Sequence, residues 1–354
     1  MKLVVVTQVL DTGHAVLGFM MRWIQGLGLH CERVRVLALE VGDLEGLPEN
    51  VDLRVIGRRG RLLRFLRYRR YLGEAFGRDG FDTLLTHMVP RYSTLGAGLA
   101  RRHGVGHCLW YTHKGVDRRL RRAVEVVDKV FSASRESMRV ETDKLVVTGH
   151  GIDLDHFDAA GAAPEDPPRL LAVGRLTPAK DALTLVEAMA ALRAEGREVS
   201  LDWAGGALAP GDEAYAQRVQ ERIAELELES AVRLHGPVPY SRIPEYYRRA
   251  TLLLSASRTG SVDKVVLEAM ACGRPPVTSG EAYPPLLAAL GEEAGALAFP
   301  PGDVVALTQK VGALLDRSPA ERDALGLKLR SIVRADHEVD ALMGRLVREM
   351  GGEA

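Results

Sequence analysis

Thr259–Ser279, TGSVDKVVLEAMACGRPPVTS, joins a polar turn, an apolar-periodic segment and a Gly-Pro stop in 21 residues. Thr259, Gly260 and Ser261 make a short polar turn after the apolar run Thr251–Leu254. The spacing predicts a helix starting near Ser261 to Asp263 and carrying Val265, Val266, Leu267, Ala269 and Met270. A polar turn feeding a helix N-terminus leaves backbone N–H groups unpaired, and such groups attract an anion. Glu268, about one and a half turns further in, is too deep to cap the helix but is placed to accept hydrogen bonds from ligand hydroxyls. Cys272-Gly273 ends the helix, Pro275-Pro276 prevents its return, and Val277-Thr278 begins a strand. Strand, polar loop, helix, stop and strand are the order of a βαβ unit with a phosphate-sized site at its loop. The same order also fits an ordinary α/β repeat that holds no ligand.

Read outward from there, the whole chain alternates strand and helix, which argues for parallel sheets. Strands are expected at Lys2–Gln8, Val34–Leu39, Val51–Ile56, Phe81–His87, Cys108–Thr112, Lys129–Ser132 and Leu145–Thr148. Helices are expected at Val16–Leu27, Thr94–His103, Leu120–Val127 and Arg135–Val140. Asp158–Pro168, DAAGAAPEDPP, has linker composition. Beyond it, strands are expected at Arg169–Val173, Val199–Trp203, Val232–Leu234 and Thr251–Ser255, with helices at Ala182–Glu195, Tyr215–Leu226 and Ile243–Arg249. Helices near Val304–Leu315, Pro319–Ala335 and Val339–Met350 close the chain.

A chain of 354 residues is natural for two domains. Its three cysteines, Cys31, Cys108 and Cys272, are widely spaced and form no metal or disulfide pattern, so a reducing cytosol is expected. The start MKLVVVTQVL reads as a buried strand rather than a signal peptide. No apolar run approaches the ~20 residues that span a bilayer. Net charge is zero but divided. Residues 1–150 hold 25 Lys and Arg against 16 Asp and Glu; the remainder holds 22 against 31. The basic first half suggests that it meets something acidic. Gly57–Gly73, GRRGRLLRFLRYRRYLG, concentrates that charge on an amphipathic helix. It fits either a peripheral contact with anionic lipid or a solvated helix whose apolar face packs on its own sheet. No nucleic-acid motif accompanies it.

Several residues outside the opening stretch are candidates for chemistry. Arg175 and Lys180 flank the loop from Gly174 that joins a strand to a helix. Such cations suit a diphosphate, although two surface cations fit the spacing equally. Gly205 and Gly206 end a strand, where bare backbone admits a ligand or makes a plain turn. His235 closes the next strand. His113 and His87 end strands of the first domain, where an imidazole can face a ligand or serve the structure. Asp11, Thr12, Gly13 and His14 form the loop after the first strand.

VLEAMACGRPPV resembles the carboxyl half of the donor site in retaining glycosyltransferases of family 4, whose pattern is E-G-F-G-x-x-x-x-E-A-M-A-x-G-x-P-V. GRLTPAKD, from Gly174, resembles the family's G-R-L-x-x-x-K-G, with Asp181 in place of the last Gly. GHGID, Gly149–Asp153, resembles the phrase that closes the family's first domain. The resemblance implies the GT-B fold, two Rossmann-like doubly wound α/β domains facing across a cleft. Residues 1–158 would be the acceptor-side domain, 159–168 the linker and 169–335 the nucleotide-sugar domain. A helix within 336–354 would pack back on the first domain.

The function implied is metal-independent transfer of a sugar from a nucleotide-diphosphate sugar to an acceptor hydroxyl, with retained configuration and no cofactor. The donor would meet Gly13, Gly174, Arg175, Lys180, Gly205, Gly206, His235, Gly260, Ser261, Val265 and Glu268. Glu268 corresponds to the family's ribose-binding acid. The family's first Glu falls on Gly260, so its role does not carry over; Asp263 is the candidate substitute. His113, Arg175, Lys180 and Asp263 are the catalytic candidates. Asp11, Thr12, His14 and His87 lie on the acceptor side. The expected partners are the donor and a carbohydrate or lipid-linked acceptor, with peripheral membrane contact through 57–73 and no nucleic acid. The expected location is the cytoplasm, at or near the inner membrane face. The rivals are a nucleotide-sugar-binding protein without turnover and a GT-B nucleotide-sugar epimerase. A glycoside hydrolase would need a pair of opposed carboxylates, which is not evident.

Overall fold

KLVVVTQVL is apolar on both faces, as a strand covered on both sides must be, and Lys2–Leu10 forms the buried strand β1. The computed structural model describes residues 1–158, 164–207, 211–258 and 260–351. The expected linker residues 159–163, and Thr259, lie outside them. The chain divides into two compact units, Met1–Gly151 with the segment from His337, and Ile152–Asp336.

The first unit continues with α1 (Met20–His30), β2 (Arg33–Val41), β3 (Val51–Val55), α2 (Arg61–Gly77), β4 (Thr83–His87) and α3 (Pro90–His103). β5 (Gly106–Trp110), α4 (Arg118–Val126), β6 (Lys129–Ser132) and β7 (Leu145–Val147) follow. The strands form one parallel sheet in the order β3-β2-β1-β4-β5-β6-β7. α1 packs on one face, where Trp23 and Ile24 meet Leu3, Val5 and Trp110. Tyr68, Leu72 and Phe76 of α2 pack on the other face against Val4 and Val6.

The second unit comprises β8 (Arg169–Val173), α5 (Ala182–Ala194), β9 (Ser200–Ala204), α6 (Asp212–Glu225) and β10 (Val232–Leu234). It continues with α7 (Ile243–Arg249), β11 (Leu252–Ser255), α8 (Lys264–Ala271), β12 (Pro276–Thr278), α9 (Tyr283–Leu287), α10 (Val304–Leu315) and α11 (Pro319–Asp336). Its strands are also parallel, in the order β10-β9-β8-β11-β12. Both units are therefore parallel-sheet α/β layers of the Rossmann-like kind. The last helix, α12 (Val339–Glu349), packs on α1, and its Asp340 pairs with Arg22 at 2.6 Å.

Two local expectations are corrected. α1 begins at Met20 rather than Val16, because His14 Nδ1 accepts the N–H groups of Val16 and Leu17 at 3.1 and 3.0 Å and holds 14–19 in turns. Arg135–Val140 is no helix: Ser134 Oγ accepts the Ser137 N–H at 3.2 Å, which closes a turn that does not propagate. α8 begins at Lys264 with Asp263 as its N-cap, at the end of the expected Ser261 to Asp263 range, so Glu268 lies about one turn inside it. α9 and the 3-10 turns over Ala288–Ala296 are additions, hidden in a proline-bearing stretch without helical periodicity. In the basic 57–73 stretch the expected packing on its own sheet is found, with part of the helix left exposed. Tyr68 and Leu72 are buried on the sheet, while Leu62, Leu63 and Leu66 stay 70%, 46% and 54% exposed.

Candidate functional site

In the second unit β8 and β11 are sheet neighbours, but the chain leaves them in opposite directions. β8 leads through α5 to β9, and β11 leads through α8 to β12. Loops that diverge at such a reversal leave a crevice beyond the strand ends, where open α/β sheets hold ligands.

The loop after β8 is fixed by close backbone packing. Trp203 Nε1 donates to Gly174 O at 2.8 Å, and the Gly174 N–H donates to Ala204 O at 3.0 Å. Gly205 has φ +141°, and a Cβ there would lie 2.0 Å from Gly174 O. Glycine is thus required by crowding as well as by dihedral angle. Asp181 ends the loop at φ 49°. The residue that departs from the glycine pattern is one of the few side chains that tolerate the left-handed region. Its carboxylate accepts from Thr184 Oγ1 at 2.8 Å and from Arg258 Nε at 2.8 Å, which ties the β8 loop to the loop after β11.

Lys180 completes that tie. Its Nζ donates to Asp263 Oδ2 at 2.8 Å, and both side chains are largely covered. Asp263 is the N-cap of α8, yet its side chain makes no capping bond. The orientation of Asp263 is therefore set by Lys180 rather than by the helix. Tyr283 OH donates to Asp263 O.

One turn on, Glu268 is 4% exposed and reaches Tyr247 OH at 2.9 Å. Burial pushes its carboxyl up, against the pull of Lys264, Tyr247 and Lys180. Burial likewise pushes the Lys264 ammonium down to about 7, with Glu268 and Asp153 opposing. Tyr247 OH also contacts Val265 O at 3.0 Å. The Tyr247 hydroxyl thus lies within hydrogen-bond reach of both Glu268 Oε2 and Val265 O and holds the carboxyl from below.

Lys180, Asp263 and Glu268 are thus brought together, and Gly174, Gly205 and Gly206 line the same loops. Gly260 takes φ +64° and Ser261 is 8% exposed between β11 and α8. Arg175 turns elsewhere, half exposed and 3.7 Å from Asp212 on α6. His235 Nε2 is 2.7 Å from Asp202, which Arg169 also binds at 2.7 Å. Burial raises Asp202, but these partners outweigh it and hold the carboxyl low. Tyr247, Tyr283, Lys264 and Arg258 were missed in the sequence. Only Lys264, four residues before Glu268 on one helix face, carried a readable signal.

The first-unit candidates do not form one cluster. Asp11 Oδ1 accepts from the Gly13 and Asp43 N–H groups at 3.0 and 3.1 Å, and Thr12 Oγ1 donates to Asp43 at 2.6 Å. His87 is 2% exposed, stacked on Trp110 and edge-on to Trp23, so it is a core residue rather than an acceptor contact. His113 is exposed, and its Nδ1 accepts the Gly115 N–H at 2.9 Å. Among the described residues no His, Cys, Asp and Glu side chains gather to hold a metal ion, and no helix is long and apolar enough to cross a membrane.

Residues 155–328 match the family model of glycosyl transferases group 1. A D-inositol 3-phosphate glycosyltransferase from Kineococcus radiotolerans is 32% identical over 179 residues, 44% of this chain and 40% of that protein. The amylovoran biosynthesis glycosyltransferase AmsK from Erwinia amylovora is 28% identical over 253 residues, 69% of this chain and 58% of that protein. The match therefore spans less than two thirds of these relatives' length. Among solved structures, Anabaena Alr3699/HepE, in complex with UDP and glucose, superposes with a TM-score of 0.79 at 17% identity, covering 99% of both chains.

Proposed function

We propose that this chain, which carries the group 1 glycosyltransferase match over 155–328, transfers a sugar from a nucleotide-diphosphate sugar to an acceptor hydroxyl. The observation that carries this reading is the meeting of Lys180, Asp263 and Glu268 at the divergence of β8 and β11.

The diphosphate lies against Lys180 and the N-terminus of α8, whose dipole favours an anion. These groups stabilise the charge that grows on the departing diphosphate. Glu268 faces the ribose hydroxyls, and opening its contact with Tyr247 accompanies binding. Arg175 swings from its long, exposed contact with Asp212 to the phosphates, a small cost for a surface pair. The configuration is retained and no metal is needed, because fixed cations take that place. The acceptor is a carbohydrate or lipid-linked hydroxyl, and the exposed leucines of α2 beside its arginines support a site at the membrane face.

Incubation of the full chain with a panel of nucleotide sugars and acceptors tests the reading. Proton NMR of the product reports its anomeric configuration, and excess EDTA tests the metal. Formation of an inverted product, or loss of transfer in EDTA, contradicts the corresponding part.

A second reading, nucleotide-sugar binding without turnover, draws on Gly260, which stands where the family pattern has its first acid, and on Asp263, which Lys180 holds. Saturable donor binding with no transfer across the acceptor panel would favour it.

A further inference from the structure

The first unit contains a cavity of about 480 Å³ lined by Arg61, Arg91, Arg118, Arg119 and Arg122. These residues come from three different helices. Arg61 is the first residue of α2, Arg91 the second of α3, and Arg118 and Arg119 the first two of α4. None of the three helices has an acidic residue in its first turn. Helix N-termini carry partial positive charge and normally draw acids, so arginines there run against the dipole three times over. Arg122 has Glu125 at 2.9 Å, but no ion pair is formed by the other four among the described residues. Asp117, the nearby acid, caps α4 by accepting the Leu120 N–H at 2.8 Å and lies on the wall of the adjoining recess.

Five exposed guanidinium groups around one recess concentrate positive potential there and draw an anion. Guanidinium forks match phosphate oxygens two at a time. Thr94 and Leu95 complete the wall, and no aromatic ring lines it on which a base would stack. A second recess of about 340 Å³ shares Arg91 and Arg119 and extends past Met88, Tyr92, Tyr111 and Asp117 to Gln8. A ligand longer than its phosphate therefore has somewhere to go.

We propose that this arginine-lined cavity binds a phosphate-bearing ligand with at least two negative charges. The charge can come from a lipid headgroup or from a soluble phosphorylated compound. The exposed Leu62, Leu63 and Leu66 on α2, next to Arg61, provide the apolar contact that the lipid source would use. The inference deepens the acceptor side of the transferase reading, which drew on the same α2 arginines and leucines, and the Lys180→Gln arm of the test separates it from the donor site in the other unit.

The test is calorimetric titration of the full chain with inorganic pyrophosphate at low ionic strength, since arginine–phosphate attraction is screened by salt. Wild type is compared with Arg91→Gln/Arg119→Gln and with Lys180→Gln, each checked for an unchanged melting curve. A saturable event is expected that survives Lys180→Gln and weakens at least ~10-fold in the double variant, as loss of charged hydrogen bonds implies. A double variant that titrates like wild type overturns the site, as does loss of all binding in Lys180→Gln. Flotation with phosphatidylcholine vesicles, with and without phosphatidylglycerol, then identifies the source. Flotation on anionic vesicles alone, reversed by the double variant, assigns a lipid headgroup. Pyrophosphate binding without flotation assigns a soluble ligand.

Discussion

Lys180 Nζ lies 2.8 Å from Asp263 Oδ2, joining the loop after β8 to the cap of α8. In the proposed site this pair has two uses. Lys180 binds the diphosphate, and Asp263 stands near the family's missing acid. Lys180→Gln should weaken nucleoside-diphosphate binding by ~10-fold or more, the loss of one charged hydrogen bond. Asp263→Asn should keep or raise that affinity, because a competing carboxylate is gone, while sugar transfer falls ~100-fold. Parallel calorimetry and steady-state kinetics separate the two effects. Equal losses in binding and turnover for Asp263→Asn would assign Asp263 to positioning alone.

Gly205→Ala is expected to be among the most damaging small changes in the second unit. Its Cβ would sit 2.0 Å from Gly174 O, against backbone that cannot rotate away. A loss of about 2–4 kcal/mol is predicted by urea unfolding. At neighbouring Gly206 the nearest contact would be Pro237 Cδ at 3.2 Å, so Gly206→Ala should cost clearly less. Equal costs would argue against crowding as the reason for Gly205.

Tyr247 supports Glu268 from beneath, and Tyr247→Phe leaves the buried carboxyl without its 2.9 Å partner. The expected cost is about 1–3 kcal/mol in unfolding free energy. Binding should weaken less than in Glu268→Gln, because the carboxyl itself remains. Unchanged stability on Tyr247→Phe would contradict the hydrogen bond.

His107 gives a pH test remote from the site. It is 3% exposed in β5, and among the described residues neither ring nitrogen has a hydrogen-bond partner. Burial pushes the imidazole down to about 4, with Asp128 opposing. Between that value and its ordinary one near 6.5 the unfolded chain holds more protons than the folded one, so stability rises with pH across this window. The contribution is fully present above 6.5 and lost toward pH 4, on the order of 3 kcal/mol. His107→Leu should flatten the stability profile there. A variant with the wild-type slope would show that other groups carry the acid sensitivity.

The parts of the fold that periodicity controls were legible. Strands such as Arg169–Val173 and helices such as Val304–Leu315 follow directly from apolar runs and spacing. Elements set by a side chain bonding to backbone were not. His14 delays α1, and Ser134 closes a turn where Arg135–Val140 looked helical. At the site, Lys180 and Glu268 were readable because a motif spans each. The Tyr247, Tyr283 and Arg258 contacts were not, because each depends on long-range approach, 77 residues in sequence between Arg258 and Asp181. The arginine cavity was hidden for the same reason. Only the 57–73 run was conspicuous, while Arg91, Arg118 and Arg119 join it through packing.

A nucleoside diphosphate seated against Lys180 and the start of α8 is checked by a thermal-shift panel of UDP, GDP, ADP, CDP and TDP on wild type and Lys180→Gln, since a ligand that binds the native state raises its melting point. At least one of them should stabilise the wild type in a saturable way, and Lys180→Gln should abolish most of that shift. Stabilisation of both proteins to the same extent, or of neither by any of the five, would contradict it.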